Sequence, residues 1–162
     1  MTVCLVFDID DTIYVHKNII SDIATPYDTI RPDYQMKSLL QRIKYPKFVL
    51  TNATYGHANL IVNKLGIEDE FIKIYARDNI FQMKPNPYCY DSVENDISYT
   101  LQSDLNEYIF FDDLLVNLEV AKNNGWSTIW ISPDYLDSYK YTYIDKAFPT
   151  LKDALGKLNF YI

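Results

Sequence analysis

The sequence predicts a single α/β domain, a Rossmann-like three-layer sandwich with a central parallel sheet of about five strands. Short, continuous apolar runs alternate along the chain with segments of helical periodicity, and polar residues follow the runs. Continuous apolar runs are typical of strands that are covered on both faces. Alternation of strands and helices favours right-handed crossovers and a parallel sheet. Because 162 residues fit one domain, we expect residues 1–162 to form a single unit.

Five apolar runs predict the strands. They occupy residues 3–7, 48–50, 71–75, 108–111 and 128–131. Helical spacing of apolar side chains predicts helices at about residues 32–45, 58–65, 114–124 and 151–158, and a polar helix is predicted at about residues 88–99. Pro32 stands where a first helical turn tolerates proline, and Gly66 and Gly125 are placed as C-terminal caps. Residues 13–30 show no convincing period.

The charge balance and the apolar runs exclude several classes of partner. The 15 basic and 22 acidic residues give a formal charge of −7, which argues against a broad surface for nucleic acid or an acidic membrane. No apolar run approaches the roughly 20 residues of a membrane helix. Cys4 and Cys89 form no disulfide or zinc pattern, and Cys4 is expected in the core. We expect a cytoplasmic protein.

Polar residues follow the predicted strands at the points where the strands end. They are Asp8 and Asp10 after the first strand, Thr51 and Asn52 after the second, Lys84 beyond the third, and Asp112 and Asp113 after the fourth. Since ligands bind at the carboxyl ends of parallel strands, these side chains are expected to converge. Clustered carboxylates repel one another, and a divalent cation relieves that repulsion. Mg²⁺ fits best, because it prefers oxygen ligands and phosphate-bearing substrates.

These residue types suit phosphoryl transfer. Asp8 is the candidate nucleophile, which attacks phosphorus and forms an aspartyl-phosphate. Asp10 is the candidate general acid and base for the leaving oxygen and the incoming water. The Thr51 hydroxyl is expected to hold phosphoryl oxygens, and Lys84 to stabilise both Asp8 and the transferring group.

In order and position, these motifs resemble those of the haloacid dehalogenase (HAD) superfamily. The superfamily's Asp-x-Asp-x-Thr motif appears at residues 8–12, and its strand-ending Thr or Ser appears as Thr51. Its Lys-Pro appears at residues 84–85, and its acidic pair at residues 112–113. Each motif alone is weak, whereas four in order at predicted strand ends are specific.

The resemblance implies a magnesium site and its ligands. The Asp8 side chain, the Asp10 backbone carbonyl and Asp113 are the implied ligands, and Asp112 either binds the metal too or orients Lys84. A catalytic set of Asp8, Asp10 and Lys84 is implied with them.

Two positions depart from the superfamily's pattern, and one more is worth following. Asp11 replaces the commoner Gly, and Leu114 replaces a frequent Ser. Asn117 lies near a position where the superfamily often has a further acidic or amide residue.

Three details look like the pyrimidine 5′-nucleotidase-like branch of the superfamily. These are Asp-Ile-Asp-x-Thr-x-Tyr at residues 8–14, Thr-Asn-Ala at 51–53 and His-Ala at 57–58. The branch implies a nucleotide substrate and a helical cap, yet only about forty residues separate the first two motifs. We therefore expect a short flap or loop insert at residues 13–31 in place of a cap. Capless members act on large substrates or use a neighbouring subunit as a lid, so a homodimer is a possible partner.

Several side chains have two readings. Thr12 is either a turn residue or a substrate contact, and Asn52 is either a loop cap or a substrate contact. Tyr14 is expected at the substrate entrance. His57 is expected to pack or bond locally rather than to titrate in catalysis, and His16 to be an exposed loop residue.

The sequence thus favours a Mg²⁺-dependent phosphomonoester hydrolase that acts on a nucleotide or another small phosphate ester. A phosphatase of a phosphoprotein or nucleic-acid end, and an inactive binding module of the same fold, are the alternatives. A signalling receiver domain carries its acidic pair at the first strand and its phosphorylated Asp at the third, which is the reverse of the order here. A dehalogenase is disfavoured, because Asp10 matches the acid/base of the phosphatases.

Overall fold

The computed structural model describes residues 2–16, 26–104 and 106–160. The insert expected at residues 13–31 is therefore seen only at its two ends, and residues 17–25 lie outside the described part. A 3-10 turn, Pro26–Thr29, follows that stretch. Ile13 and Ile30, on either side of it, are both buried in the core.

The described residues form one sheet of six parallel strands in the order β3-β2-β1-β4-β5-β6. The strands are β1 Thr2–Phe7, β2 Lys47–Leu50, β3 Lys73–Tyr75, β4 Asn106–Asp112, β5 Ser127–Ile131 and β6 Lys146–Phe148. Phe7 at the end of β1 pairs with Val49 on one side and Phe111 on the other. The chain builds the sheet outward from β1 in both directions, so a topological switch point lies between β1 and β4.

The sheet confirms the fold class and adds one strand to the predicted five. The run Lys146–Phe148 has three residues, begins with an exposed lysine and lies at the edge of the sheet, so it gives almost no apolar signal. The predicted third strand starts two residues late, at Lys73, because a 3-10 turn at Glu68–Glu70 precedes it.

Five α-helices connect the described strands or follow them. They are α1 Tyr34–Arg42, α2 Tyr55–Leu65, α3 Pro87–Leu101, α4 Leu115–Asn123 and α5 Leu151–Lys157. Asp33 caps α1 by accepting a hydrogen bond from the Met36 amide at 2.9 Å. Pro32 thus precedes the cap instead of occupying the first turn. Gly66 ends α2 in the left-handed conformation, with φ 74°, as a C-terminal cap requires.

Helices cover both faces of the sheet and form two apolar layers. Leu5 and Phe7 point to the layer that contains α1, α2 and α5, whereas Cys4 and Val6 point to the layer with α3 and α4. This alternation follows from the two-residue period of a strand. Cys4 and Cys89 are both buried and unbonded to each other, which confirms Cys4 as a core residue. Across the described ranges, no helix combines the length and the apolar character needed to cross a membrane.

Candidate active site

Asp8 lies immediately beyond β1, at the switch point of the sheet. Its backbone N–H donates to the Phe111 carbonyl at 2.9 Å, which extends the β1–β4 pairing by one residue. Its carboxylate accepts a hydrogen bond from the Thr12 hydroxyl at 3.1 Å on Oδ2 and contacts Lys84 Nζ at 3.0 Å through Oδ1. The strand pairing and two side-chain donors therefore fix the orientation of this buried carboxylate.

A tight turn after Asp8 brings later residues back to the site. Asp11 has φ 61°, in the left-handed region where Asp is tolerated and Gly is common. The Asp11 N–H donates to the Tyr14 carbonyl at 2.7 Å, and Asp11 Oδ1 accepts from the His16 backbone N–H at 3.0 Å. The turn explains why the superfamily often has Gly here, and it places His16 beside Asp10.

Lys84 reaches the site from the loop that follows β3. Its side chain is buried, and Nζ contacts Asp8 Oδ1 at 3.0 Å and Asp112 Oδ2 at 2.8 Å. Asn52 holds the backbone of this residue at two points: Lys84 N–H donates to Asn52 Oδ1 at 3.0 Å, and Asn52 Nδ2 donates to the Lys84 carbonyl at 2.9 Å. The Lys84–Pro85 peptide bond is cis. Asn52 thus positions the lysine with its whole side-chain amide.

Asp112, at the end of β4, is fully buried among protein donors. Oδ2 accepts from Lys84 and, at 3.2 Å, from Asn117 Nδ2, while Oδ1 accepts from the Leu114 N–H at 2.8 Å. Both oxygens therefore have protein partners. This geometry favours Asp112 as the residue that orients Lys84, the second of its two readings. Asn117 supports the same arrangement from the first turn of α4.

The charges at this edge of the sheet do not balance. Ligand oxygens of Asp8, Asp112 and Asp113 lie within 4.8 Å of one another. When all are ionised, three negative charges face the one positive charge of Lys84, which leaves −2. Burial, the hydrogen bond with Asp8 and the neighbouring carboxylate charges raise the pKa of Asp113 to about 8. A set of oxygen donors with this excess charge fits a hard divalent ion such as Mg²⁺.

The ammonium of Lys84 remains charged in this setting. Burial acts to lower its pKa, but the charges of Asp112 and Asp8 outweigh burial and hold the pKa above its ordinary value. Burial also raises the pKa of Asp112, against the opposing effect of Lys84. The site therefore keeps a positive charge beside Asp8.

A cavity of about 220 Å³ connects the predicted catalytic residues. Its lining includes Asp8, Asp10, Thr51, Lys84, Asp113 and Leu114. The Thr51 hydroxyl oxygen accepts from the Ala53 N–H at 3.1 Å, and Thr51 lines the cavity. Asp10 is about one-third exposed and Leu114 about half exposed, so the described part of the cavity wall leaves an open side.

Two of the predicted substrate contacts lie elsewhere. Thr12 is buried behind Asp8 and serves as its hydrogen-bond donor. Tyr14 packs its ring against His16, with centroids 5.1 Å apart, and lines a separate cavity of about 510 Å³ with Ile30 and Leu65. The structure therefore brings neither side chain into the acidic cavity.

Sequence reasoning missed a second cluster, formed around Asp10. His16 Nε2 lies 2.6 Å and His57 Nε2 2.8 Å from Asp10 Oδ1, and the Tyr27 hydroxyl lies 2.6 Å from His57 Nδ1. His16 lies in a loop, as expected, but only about one-third of its side chain is exposed, because the turn at Asp11 folds it onto Asp10. His57 bonds locally through its backbone N–H to Thr54, as expected, while its ring contacts Asp10, which lies 47 positions away in the chain. The only sequence signal was the His-Ala pair at residues 57–58.

Comparison with known proteins identifies the family. The sequence profile of the family described as haloacid dehalogenase-like hydrolase matches residues 16–131, more than half of the chain. The chain belongs to this family. The matched range begins after the Asp8–Thr12 turn and includes Thr51, Lys84 and the acidic pair that closes β4.

Solved structures of haloacid dehalogenase-like proteins share the fold. A haloacid dehalogenase-like hydrolase candidate from Bacteroides fragilis superposes with TM-score 0.68 at 12% identity, covering 95% of this chain and 100% of that chain. The core domain of a phosphoglycolate phosphatase candidate from Streptococcus pneumoniae gives TM-score 0.61 at 18% identity, covering 95% and 93%. L-2-haloacid dehalogenase from Xanthobacter autotrophicus gives TM-score 0.59 at 19% identity, covering 81% of this chain and 62% of that enzyme. The chain thus spans less than two thirds of that enzyme's length.

Proposed function

We propose that this haloacid dehalogenase-like hydrolase is a Mg²⁺-dependent phosphomonoester hydrolase that forms an aspartyl-phosphate on Asp8. The main support is the convergence of Asp8, Lys84 and Asp113, from three separate parts of the chain, on one cavity beside Thr51. A buried nucleophile paired with a buried cation, next to oxygen donors for a metal, is what phosphoryl transfer requires.

Each residue has a defined part in the two-step reaction. A carboxylate oxygen of Asp8 attacks phosphorus, the bond from phosphorus to the ester oxygen breaks, and Asp10 gives its proton to the leaving oxygen. Water then attacks the phosphorus of the aspartyl-phosphate, Asp10 takes a proton from it, and Asp8 is released as a carboxylate. Lys84 and the Thr51 hydroxyl stabilise the phosphoryl oxygens throughout.

The metal would be held by the Asp8 and Asp113 side chains and the Asp10 backbone carbonyl. When bound, Mg²⁺ supplies positive charge to the carboxylates and to the transferring phosphoryl group. The carboxylate cluster supports this proposal through its excess negative charge and the raised pKa of Asp113.

The proposed substrate is a small phosphate ester, and nucleoside monophosphates are the first class to test because of the branch resemblance. A second candidate function is a phosphatase that acts on a phosphoprotein or on a nucleic-acid end. The open side of the cavity at Asp10 and Leu114 favours it. A homodimer that covers this open side and a cytoplasmic location stay predictions.

The experiment is a phosphatase screen of purified protein with Mg²⁺. It covers p-nitrophenyl phosphate, nucleoside monophosphates, sugar phosphates, phosphopeptides and 5′- or 3′-phosphorylated oligonucleotides. We expect turnover that is lost on chelation and lost in Asp8→Asn, with an unchanged circular dichroism spectrum. Asp91→Asn, the same substitution at an exposed position of α3, is the matched control and should keep full activity. No turnover of any substrate by the wild type, or full turnover by Asp8→Asn, would contradict the proposal.

A further inference from the structure

The Asp10 carboxyl is held on one side by two imidazoles. The Nε2 atoms of His16 and His57 both contact the same oxygen, Oδ1, at 2.6 and 2.8 Å. Among the residues that the structure describes, none donates to the other oxygen, Oδ2. Among the described residues, the protein thus engages one oxygen of a carboxyl that lines the acidic cavity.

The protons in this cluster follow from the chemistry of its groups. A carboxylate oxygen only accepts hydrogen bonds, so both Nε2 atoms carry protons when Asp10 is ionised. In neutral His57 the other ring nitrogen, Nδ1, then accepts from the Tyr27 hydroxyl at 2.6 Å. Tyr27 thus fixes the tautomer of His57 that can donate to Asp10.

Three separate segments anchor the cluster. His16 is fixed through its backbone by Asp11, and His57 lies in the first turn of α2, where its N–H donates to Thr54 Oγ1 at 3.3 Å. Tyr27 comes from the 3-10 turn after the undescribed stretch. The two imidazole rings are nearly parallel, at 17°. The fold therefore sets the orientation of the Asp10 side chain through these three anchored neighbours.

Asp10, His16 and His57 also have possible ligand atoms within 4.8 Å of one another. At 2.6 and 2.8 Å, the contacts to Asp10 are hydrogen bonds from an imidazole N–H to a carboxylate oxygen.

We propose that His57, held by Tyr27, and His16 are positioning residues that turn Asp10 so that Oδ2 faces the leaving oxygen of the substrate. This rests on the proposed function, in which Asp10 is the general acid. A leaving group that is a weak base departs without a proton, whereas a strongly basic one needs the acid in place. Loss of the histidine contacts must therefore lower kcat/KM most for substrates with strongly basic leaving groups.

The first test compares aryl phosphates whose phenols differ in acidity. For His57→Phe, we expect kcat/KM to fall about tenfold or more on phenyl phosphate and less than about twofold on 2,4-dinitrophenyl phosphate, because only the former needs protonation. His57→Gln places an N–H near the position of Nε2 and should restore phenyl phosphate turnover to within about threefold of the wild type. Equal losses on both substrates, or none, would overturn the proposal.

Tyr27→Phe tests the outer hydrogen bond and remains informative if His57→Phe does not fold. It should show the same dependence on the leaving group with a smaller amplitude, about threefold on phenyl phosphate. Tyr34→Phe is the matched control, since the Tyr34 side chain is 79% exposed on α1 and away from the cluster. A loss in Tyr27→Phe that is independent of the leaving group would indicate a purely structural role.

A second test needs no catalytic activity. Long-range ¹H–¹⁵N spectra of the imidazoles report which nitrogen carries the proton, and the two histidines of the chain give few signals. We expect Nε2–H on His57 in the wild type and loss of that preference in Tyr27→Phe. A neutral His57 protonated on Nδ1 would overturn the proposal even in an inactive protein. A wild type with the expected tautomer but no turnover would instead contradict the proposed function alone.

Discussion

Asp8 and Asp10 are two residues apart in one loop, yet their surroundings differ. The Asp8 side chain is 11% exposed and bound by a buried lysine, whereas the Asp10 side chain is 35% exposed and bound by two partly buried histidines. A buried carboxylate held by a lysine and a hydroxyl has a fixed orientation, as the proposed nucleophile requires. A carboxylate that is one-third exposed is open to water and substrate, as the proposed general acid and base requires. The environment, not the residue type, separates the two roles.

The largest combined effect on stability and turnover should come from removing the lysine that contacts Asp8. Lys84→Met leaves two buried carboxylates without their cation, and we expect a loss of about 3–5 kcal/mol in the free energy of unfolding. Turnover should fall about 10³-fold, because the phosphoryl oxygens lose their buried charge. Urea unfolding and steady-state kinetics measure both. Lys122→Met is the control: it removes a half-exposed ion pair to Asp145 and should cost below about 1 kcal/mol.

Asp10→Asn should separate activity from stability. We expect turnover of phenyl phosphate to fall about 10²–10⁴-fold, since the general acid is lost. The free energy of unfolding should change by less than about 1 kcal/mol, because the side chain is partly solvated. Kinetics and urea unfolding on the same preparation check this. If Asp10→Asn destabilised the protein as much as Lys84→Met, the surroundings of Asp8 and Asp10 would not differ in the way described.

The response to Mg²⁺ should depend on pH through Asp113. The pKa of Asp113 in the folded protein is raised to about 8. Protonated Asp113 therefore stabilises the folded state fully at pH values below the ordinary carboxyl pKa, and this stabilisation is lost as pH rises through 8. The metal binds the deprotonated carboxylate and relieves that loss. Added Mg²⁺ should thus raise Tm more at pH 8.5 than at pH 6, as measured by thermal unfolding. Asp113→Asn should abolish most of this difference, and an equal shift at both pH values would count against Asp113 as a ligand.

The smallest effect on turnover is expected from Thr12→Val. It keeps the shape of the side chain but removes the hydroxyl that donates to Asp8 Oδ2. We expect a loss of about 1–2 kcal/mol in the free energy of unfolding and about tenfold in turnover, because a buried oxygen loses its donor. Thermal unfolding and kinetics provide the measurement. The exposed Thr100→Val, whose hydroxyl donates only to its own helix, is the matched control.

The part of the site that lies at strand ends was predictable from the sequence. A continuous apolar run such as residues 3–7 identifies a buried strand, and the polar residue that follows must lie at the edge of the sheet. This reasoning brings Asp8, Thr51 and Asp113 together without any knowledge of side-chain contacts. This reasoning did not predict strand β6, because its three residues begin with an exposed lysine and form no continuous apolar run.

The contacts around Asp10 and Lys84 were not predictable in the same way. His16 reaches Asp10 only because Asp11 adopts a positive φ, which no apolar pattern encodes. Asn52 looked like a loop cap or substrate contact, and its two bonds to the Lys84 backbone depend on a loop that lies 32 positions away. Such contacts depend on the path of the chain in space, which periodicity does not describe.

Asp11 links its own backbone conformation to the position of the residue five places further along the chain. A glycine at this point would adopt the same turn with less strain but would have no carboxylate to hold the amide of His16. The aspartate and the histidine therefore act together in placing the imidazole beside Asp10. Anyone who transplants this histidine into a related hydrolase must transplant the aspartate with it, because the imidazole alone would have no fixed approach to the acid.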